Sequence, residues 1–127
     1  MTVLAAIDHV QIAIPVGGEA TARPFYRDLL GLREIPKPAD MAARGGAWFE
    51  HGDVHVHLGV EKDFRANTKA HVAFRVADVD GLVARAAAAG FTANNEPLID
   101  GYDQRAFIYD PFGNRLEFLR PTNGEAA

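Results

Sequence analysis

Residues 104–119 read QRAFIYDPFGNRLEFL, and this stretch decides the fold. Asp110-Pro111-Phe112-Gly113-Asn114 is a turn sequence: Pro presets one backbone angle, Gly supplies a left-handed one, and Asp and Asn bond to their own backbone. Gln104–Tyr109 and Arg115–Leu119 flank it as two strands. In the second strand Leu116 and Phe118 share one face, while Glu117 points to the other. A carboxylate on an otherwise apolar strand is costly to bury unless it has a partner.

Working outward, three more stretches have the same design: His9-Val10-Gln11-Ile12-Ala13-Ile14, Val54-His55-Val56-His57-Leu58 and His71-Val72-Ala73-Phe74-Arg75-Val76. Each places an imidazole on the face opposite its large apolar residues. His57 follows His9 by 48 residues, and Glu117 follows His71 by 46. This near-repeat predicts two similar halves, each giving two ligands to one metal ion.

The segments between support a duplication. Residues 7–14 read as a strand that ends at Pro15-Val16-Gly17-Gly18. Residues 20–30 have helical spacing with Phe25, Leu29 and Leu30 on one side. Pro24 is expected in the first turn, because proline inside a helix costs about 3 kcal/mol. Gly31 is the expected C-cap. Strands follow at 32–36, 47–50 and 54–60, with a loop over 36–46 and a turn at His51-Gly52-Asp53. A polar linker covers 61–69. The order then restarts with strand 71–76 and a helix capped by Asp78, whose apolar positions are Val79, Leu82, Val83 and Ala86. Gly90 ends the helix, and strand 91–93 and a loop over 96–103 lead into the quoted stretch. The expected class is α+β. Two paired βαβββ modules, 5–60 and 70–121, form a curved mixed sheet, followed by a flexible tail at 122–127. Helices cover the convex side, where Val10, Ile12, Ile14, Val72, Phe74 and Val76 point, and the concave side is a metal-binding pocket.

Composition narrows the chemistry. The 127 residues suit one domain, 48% are hydrophobic, and the formal net charge is −4, which argues against a nucleic-acid binder. There is no cysteine and no serine, so disulfides, thiolate sites and Ser or Cys nucleophiles are excluded. No signal peptide and no apolar run of about 20 residues is visible, so a cytoplasmic protein without a membrane span is expected. Three imidazoles and a carboxylate suit Zn, Ni, Co, Fe(II) or Mn. Calcium and magnesium prefer oxygen-only shells. His55 and His57 share strand parity, and counting from the turn glycines leaves the choice between them open. Parity places Gln11, Arg75 and Arg115 on the ligand face as substrate contacts. Trp48 and Phe107 are further pocket candidates. Tyr109, Glu50 and His55 are candidate acid–base groups.

The segments Asp8-His9-Val10, Phe25-Tyr26-Arg27-Asp28-Leu29-Leu30-Gly31-Leu32, Ala70-His71-Val72 and Asp110 to Phe118 resemble the vicinal oxygen chelate superfamily over about residues 5–121. The superfamily includes glyoxalase I, fosfomycin-modifying enzymes, extradiol dioxygenases and bleomycin-binding proteins. The resemblance implies paired βαβββ modules and a divalent ion held by His9, His57, His71 and Glu117. His57-Leu58 stands where glyoxalase I has Glu before Leu, which favours His57 over His55. Gln11 stands where fosfomycin enzymes have Thr. The resemblance further implies a homodimer and a glyoxalase-like lyase, isomerase or transferase whose small substrate chelates the ion through vicinal oxygens. The competing expectations are a drug- or metabolite-sequestering protein and an Fe(II) extradiol-type dioxygenase. The loops at 37–46 and 96–104 are expected at the pocket mouth.

Overall fold

The computed structural model describes residues 1–123. Two compact units divide the chain, residues 1–64 and the residues from Arg65 onward. The first contains strand β1 (Val10–Pro15), helix α1 (Glu19–Arg23) with a π-helical continuation (Pro24–Leu29), β2 (Arg33–Ile35), a single turn α2 (Ala39–Ala42), β3 (Ala47–His51) and β4 (Val54–Glu61). The second contains β5 (Val72–Arg75), helix α3 (Val79–Ala88), β6 (Ala93–Asn95), β7 (Tyr102–Tyr109) and β8 (Arg115–Pro121). The strand orders are β1-β4-β3-β2 and β5-β8-β7-β6. In both sheets the first and last strands pair in parallel, and the other neighbours are antiparallel. The fold is α+β, and the same topology occurs twice.

In the first unit the buried face carries Ile12, Ile14, Ala47, Phe49, Val56 and Leu58. Phe25 and Tyr26 are fully buried, and Tyr26 packs on Phe49 with ring centroids 6.1 Å apart. Burying each such aromatic side chain contributes roughly 2–3 kcal/mol. In the second unit Val79, Leu82 and Ala86 of α3 are buried, and the helix packs on β6, β7 and β8. Phe74 stacks on Phe118, with centroids 5.8 Å apart.

Pro24 does not lie in a first turn. It is the sixth residue of the continuous helical run that begins at Glu19. Its ring cannot donate to the carbonyl four residues back, and the run continues as a wider turn in which Leu30 N donates to Phe25 O. Gly31 ends the run at φ +75°, as expected of a left-handed cap. The 36–46 segment is not wholly a loop, because Ala39–Ala42 form a helical turn after Pro38. His9 and His71 each stand one residue ahead of the first strand rather than inside it. His51 is the last residue of β3, and Gly52-Asp53 alone make the turn, with Gly52 at φ +55°.

The predicted cap of α3 is present: Asp78 Oδ1 accepts from Gly81 N at 2.9 Å. Gln104 Oε1 accepts from Val79 N and Asp80 N, so a β7 side chain satisfies two more of the helix's free donors. Thr122 N donates to Gly101 O, and the tail expected at 122–127 lies outside the described residues from 124 on.

The Asp110 turn positions β8. Buried Asp110 accepts from Phe112 N and Asn114 N through Oδ1, and from Asn114 Nδ2 through Oδ2, each at 2.9 Å. Asn114 Oδ1 in turn accepts from Asn67 N. Asp110→Ala leaves these donors buried and is expected to cost about 2–4 kcal/mol. The check is a lowered urea midpoint at unchanged slope. A loss below about 0.5 kcal/mol, the scale of ordinary surface changes, would show that the backbone bonds of the turn suffice without the carboxylate.

Candidate metal and substrate site

In both units the face opposite the core carries the candidate residues. Gln11 lies beside His57 across the parallel β1–β4 pair, and Trp48 lies opposite His57 across β3–β4. The His57 ring is stacked on both sides. Trp48 lies at 4.0 Å and 5° interplanar angle, and His9 at 4.0 Å and 18°. Burial first, then repulsion from His9, holds His57 below the ordinary imidazole value. His9 Nδ1 lies 2.8 Å from Asp8 Oδ1, and this contact holds the Asp8 carboxyl below its usual range. Glu50 sits opposite His55, with 3.7 Å between Oε2 and Nδ1, and also accepts from Arg33 Nη2 at 2.6 Å.

These residues line a cavity of about 530 Å³. Its other walls come from Ile35, Met41, Val60 and the 37–46 segment, which adds Lys37 and Arg44. Two glycines permit this shape. A Cβ at Gly59 would stand 2.5 Å from Gln11 Nε2, so any larger residue there would displace the Gln11 amide from its present position. Gly46 has φ +84°, and a Cβ there would lie 2.1 Å from Leu58 O. Glu19 Oε2 accepts from Gly46 N at 2.7 Å and ties this wall to α1.

In the second unit Glu117 is the hub. Its Oε1 lies 2.9 Å from His71 Nε2, and its Oε2 accepts from Arg105 Nε at 2.7 Å. Burial pushes the carboxyl up, but the bonds from Arg105 and His71 outweigh it and hold Glu117 below its usual range. His71 Nδ1 faces Lys69 O at 3.0 Å. Phe107 lies opposite Glu117, with its ring against both the Arg105 and Arg115 guanidiniums at 5.0 and 4.5 Å. Arg115 Nε donates to Tyr109 Oη at 3.0 Å. Arg75 shares this face and is exposed. Among the described residues, no three His, Asp or Glu side chains gather closely enough to hold an ion as they stand.

The structure therefore brings His9, His57, Gln11, Trp48, Glu50 and His55 together in one unit. In the other it brings together His71, Glu117, Phe107, Arg115 and Tyr109. The sequence places the 37–46 segment at the pocket mouth, as found, but does not single out Lys37, Arg44, Asp8 or Arg105. Arg105 was accessible to it, since Arg105 shares strand parity with Phe107 and Tyr109. Lys37 and Arg44 had no periodic signal, because they belong to an irregular segment.

Two successive βαβββ units, each with imidazole or carboxylate side chains on one face of its sheet, define an α+β class built by duplication. The model of the Glyoxalase/Bleomycin resistance protein/Dioxygenase superfamily matches residues 6–118, and the chain belongs to that superfamily. A glyoxalase family protein from Bacillus anthracis is 38% identical, with 96% of this chain and 99% of that one covered at a TM-score of 0.89. The anthracycline biosynthesis protein DauV of Streptomyces sp. (strain C5) is 37% identical over 98 residues, 73% of this chain. The match covers 34% of DauV, so the chain spans about a third of that relative's length. The fold is also shared with a fosfomycin resistance protein, FosX, from Listeria monocytogenes, solved with Mn(II) and 1S,2S-dihydroxypropylphosphonic acid. There the TM-score is 0.78 at 17% identity, with 94% of each chain covered.

The depressed His57 value has a direct check. Its folded state favours the neutral ring, so this residue's effect lowers stability as pH falls below about 6.5, the ordinary unfolded value. NMR titration of the metal-free protein is expected to place the His57 midpoint below 6.5. Trp48→Ala uncovers one ring face and is expected to move the midpoint upward. An unchanged midpoint in that variant would remove burial by Trp48 as the cause.

Proposed function

We propose that the protein is a metal-dependent, glyoxalase-like enzyme acting on a small substrate with two adjacent oxygens. The carrying observation is how the two histidines ahead of the first strands are held. His9 Nδ1 faces the Asp8 carboxylate, and His71 Nδ1 faces the Lys69 carbonyl. An acceptor at Nδ1 holds a proton there, so that Nε2, which in His71 bonds to Glu117 in the ion-free protein, is the atom that would serve as ligand once its own proton is lost. The 2.9 Å between His71 Nε2 and Glu117 Oε1 is close to that of adjacent donors each about 2.1 Å from one ion. Arg105 holds the other Glu117 oxygen, so Oε1 alone is left for the ion. His9 and His57 fit by donor type, although their rings, now face to face, have to turn edge-on to serve one ion.

His9, His57, His71 and Glu117 are the proposed ligands, for Zn, Ni, Co, Fe(II) or Mn. When bound, the ion supplies Lewis-acid stabilisation of negative charge developing on a substrate oxygen. The Glu50–His55 pair on the cavity wall is the proposed proton acceptor. Gln11 and Trp48 orient the substrate, and Tyr109 has a hydroxyl proton to donate. Phe107 and Arg75 complete the proposed contact face. The reading takes the protein as a cytoplasmic homodimer. In the described residues, no helix is long and apolar enough to cross a membrane.

Metal analysis of the purified protein tests this. A bound divalent ion is expected, with affinity falling at least 100-fold in Glu117→Gln and in His9→Ala. Protein that neither retains nor takes up Zn, Ni, Co, Fe(II) or Mn would overturn the proposal. One observation favours a second reading, capture of a flat aromatic molecule. Trp48, His57 and His9 make a three-ring stack beside Ile35, Met41 and Val60 on the cavity wall. The similarity to DauV, a protein of anthracycline biosynthesis, accords with such a ligand. Tight aromatic binding by metal-free protein, with Trp48 fluorescence quenched, would favour it. Oxygen uptake with catechols would instead indicate dioxygenase chemistry.

A further inference from the structure

The second unit has an arginine that meets aromatic rings and a neutral hydroxyl but, among the described residues, no carboxylate. Arg115 is half-buried at the start of β8. Its Nε donates to the neutral Tyr109 hydroxyl, and its guanidinium lies 4.5 Å from the Phe107 ring centroid and 5.5 Å from that of Tyr109. No carboxylate pairs with it among the described residues. The other arginines of this face and its rim differ. Arg105 is paired with Glu117, and Arg120 with Asp103. The remaining cation, Arg75, is exposed on the same face. The negative charge of Glu117 already meets Arg105 and His71. The face thus has an excess of positive charge beside the proposed ligand pair.

The remaining donors are well placed to bind an anion. With Nε committed to Tyr109, the two Nη groups form a free planar edge, which matches a carboxylate or phosphate in a two-bond contact. The Tyr109 oxygen accepts from Arg115, so its own proton is available as a further donor. Two aromatic faces and a strand backbone restrict the guanidinium, which lowers the ordering cost of binding. Arg115 and Glu117 are two residues apart on one strand face, a spacing of about 7 Å.

We propose that Arg115 and Tyr109 form an oxyanion-binding subsite, so that the substrate carries a carboxylate or phosphate group besides its chelating oxygens. The identity of the anion as part of the substrate rests on the metalloenzyme reading above. Anion binding itself does not, and the experiment separates the two by using protein stripped of metal. The metal-free protein is titrated with sodium phosphate and, separately, sodium acetate, at constant ionic strength set with sodium chloride. The Arg115 Nε–Hε signal is followed by NMR.

A saturable shift is expected with at least one of the two anions, and the preferred one identifies the class as phosphate or carboxylate. Arg115→Gln is expected to lose binding at least 10-fold, and Tyr109→Phe to weaken it about 3-fold. Arg115→Lys, which keeps the charge but not the fork, is expected to fall between wild type and Arg115→Gln, with all three variants retaining the wild-type circular dichroism spectrum. An equal shift with chloride alone, or phosphate and acetate binding unchanged in Arg115→Gln, would overturn the subsite. Loss of metal binding in Glu117→Gln with the anion shift intact would support the subsite as independent of the ion.

Discussion

Parallel pairing of the first and last strand in each unit is the constraint on which the rest depends. It sets Gln11 beside His57 in one sheet and Ala73 beside Glu117 in the other. A strand shows alternate residues to opposite faces, so a one-residue slip would send Val56, Leu58, Leu116 and Phe118 outward and the imidazoles inward. The apolar face therefore enforces the polar one. Phe49 under Tyr26 and Phe118 under Phe74 lock the register by packing, and the chemistry on the other side inherits it.

On that rigid base, electrostatics gives each unit a different character. The first concentrates imidazoles and covers His57 on both faces with rings, which favours its neutral form. The second gathers charge around Glu117, with Arg105 and His71 on separate oxygens, and leaves Arg115 with a neutral partner. Duplicated topology has thus diverged in chemistry while the strand order is unchanged.

The irregular segment between β2 and β3 shows where local reading loses power. Its wall position depends on Gly46 reaching Glu19 and on Leu58 leaving no space for a Cβ. Both contacts are distant in sequence, so the segment is expected at the pocket mouth while Lys37 and Arg44 themselves are not singled out as its lining. The Pro24 case is similar in kind. Local preference places proline in a first turn, whereas burial of Phe25, Tyr26 and Leu29 keeps the helix running through it with a wider turn.

Alternation, turn chemistry and duplication were legible in the residues themselves, because strand parity and the Asp110–Asn114 turn are local rules. They gave the α+β class, the two βαβββ units and the face on which His9, His57, His71 and Glu117 stand. Tertiary structure alone decided which atoms meet: Asp8 on His9, Lys69 O on His71, Arg105 on Glu117, and Tyr109 on Arg115. The physical reason is that parity gives a side chain its face but not its partner. A partner is chosen by cross-strand register, rotamer and competing charge, and these exist only once the strands are assembled.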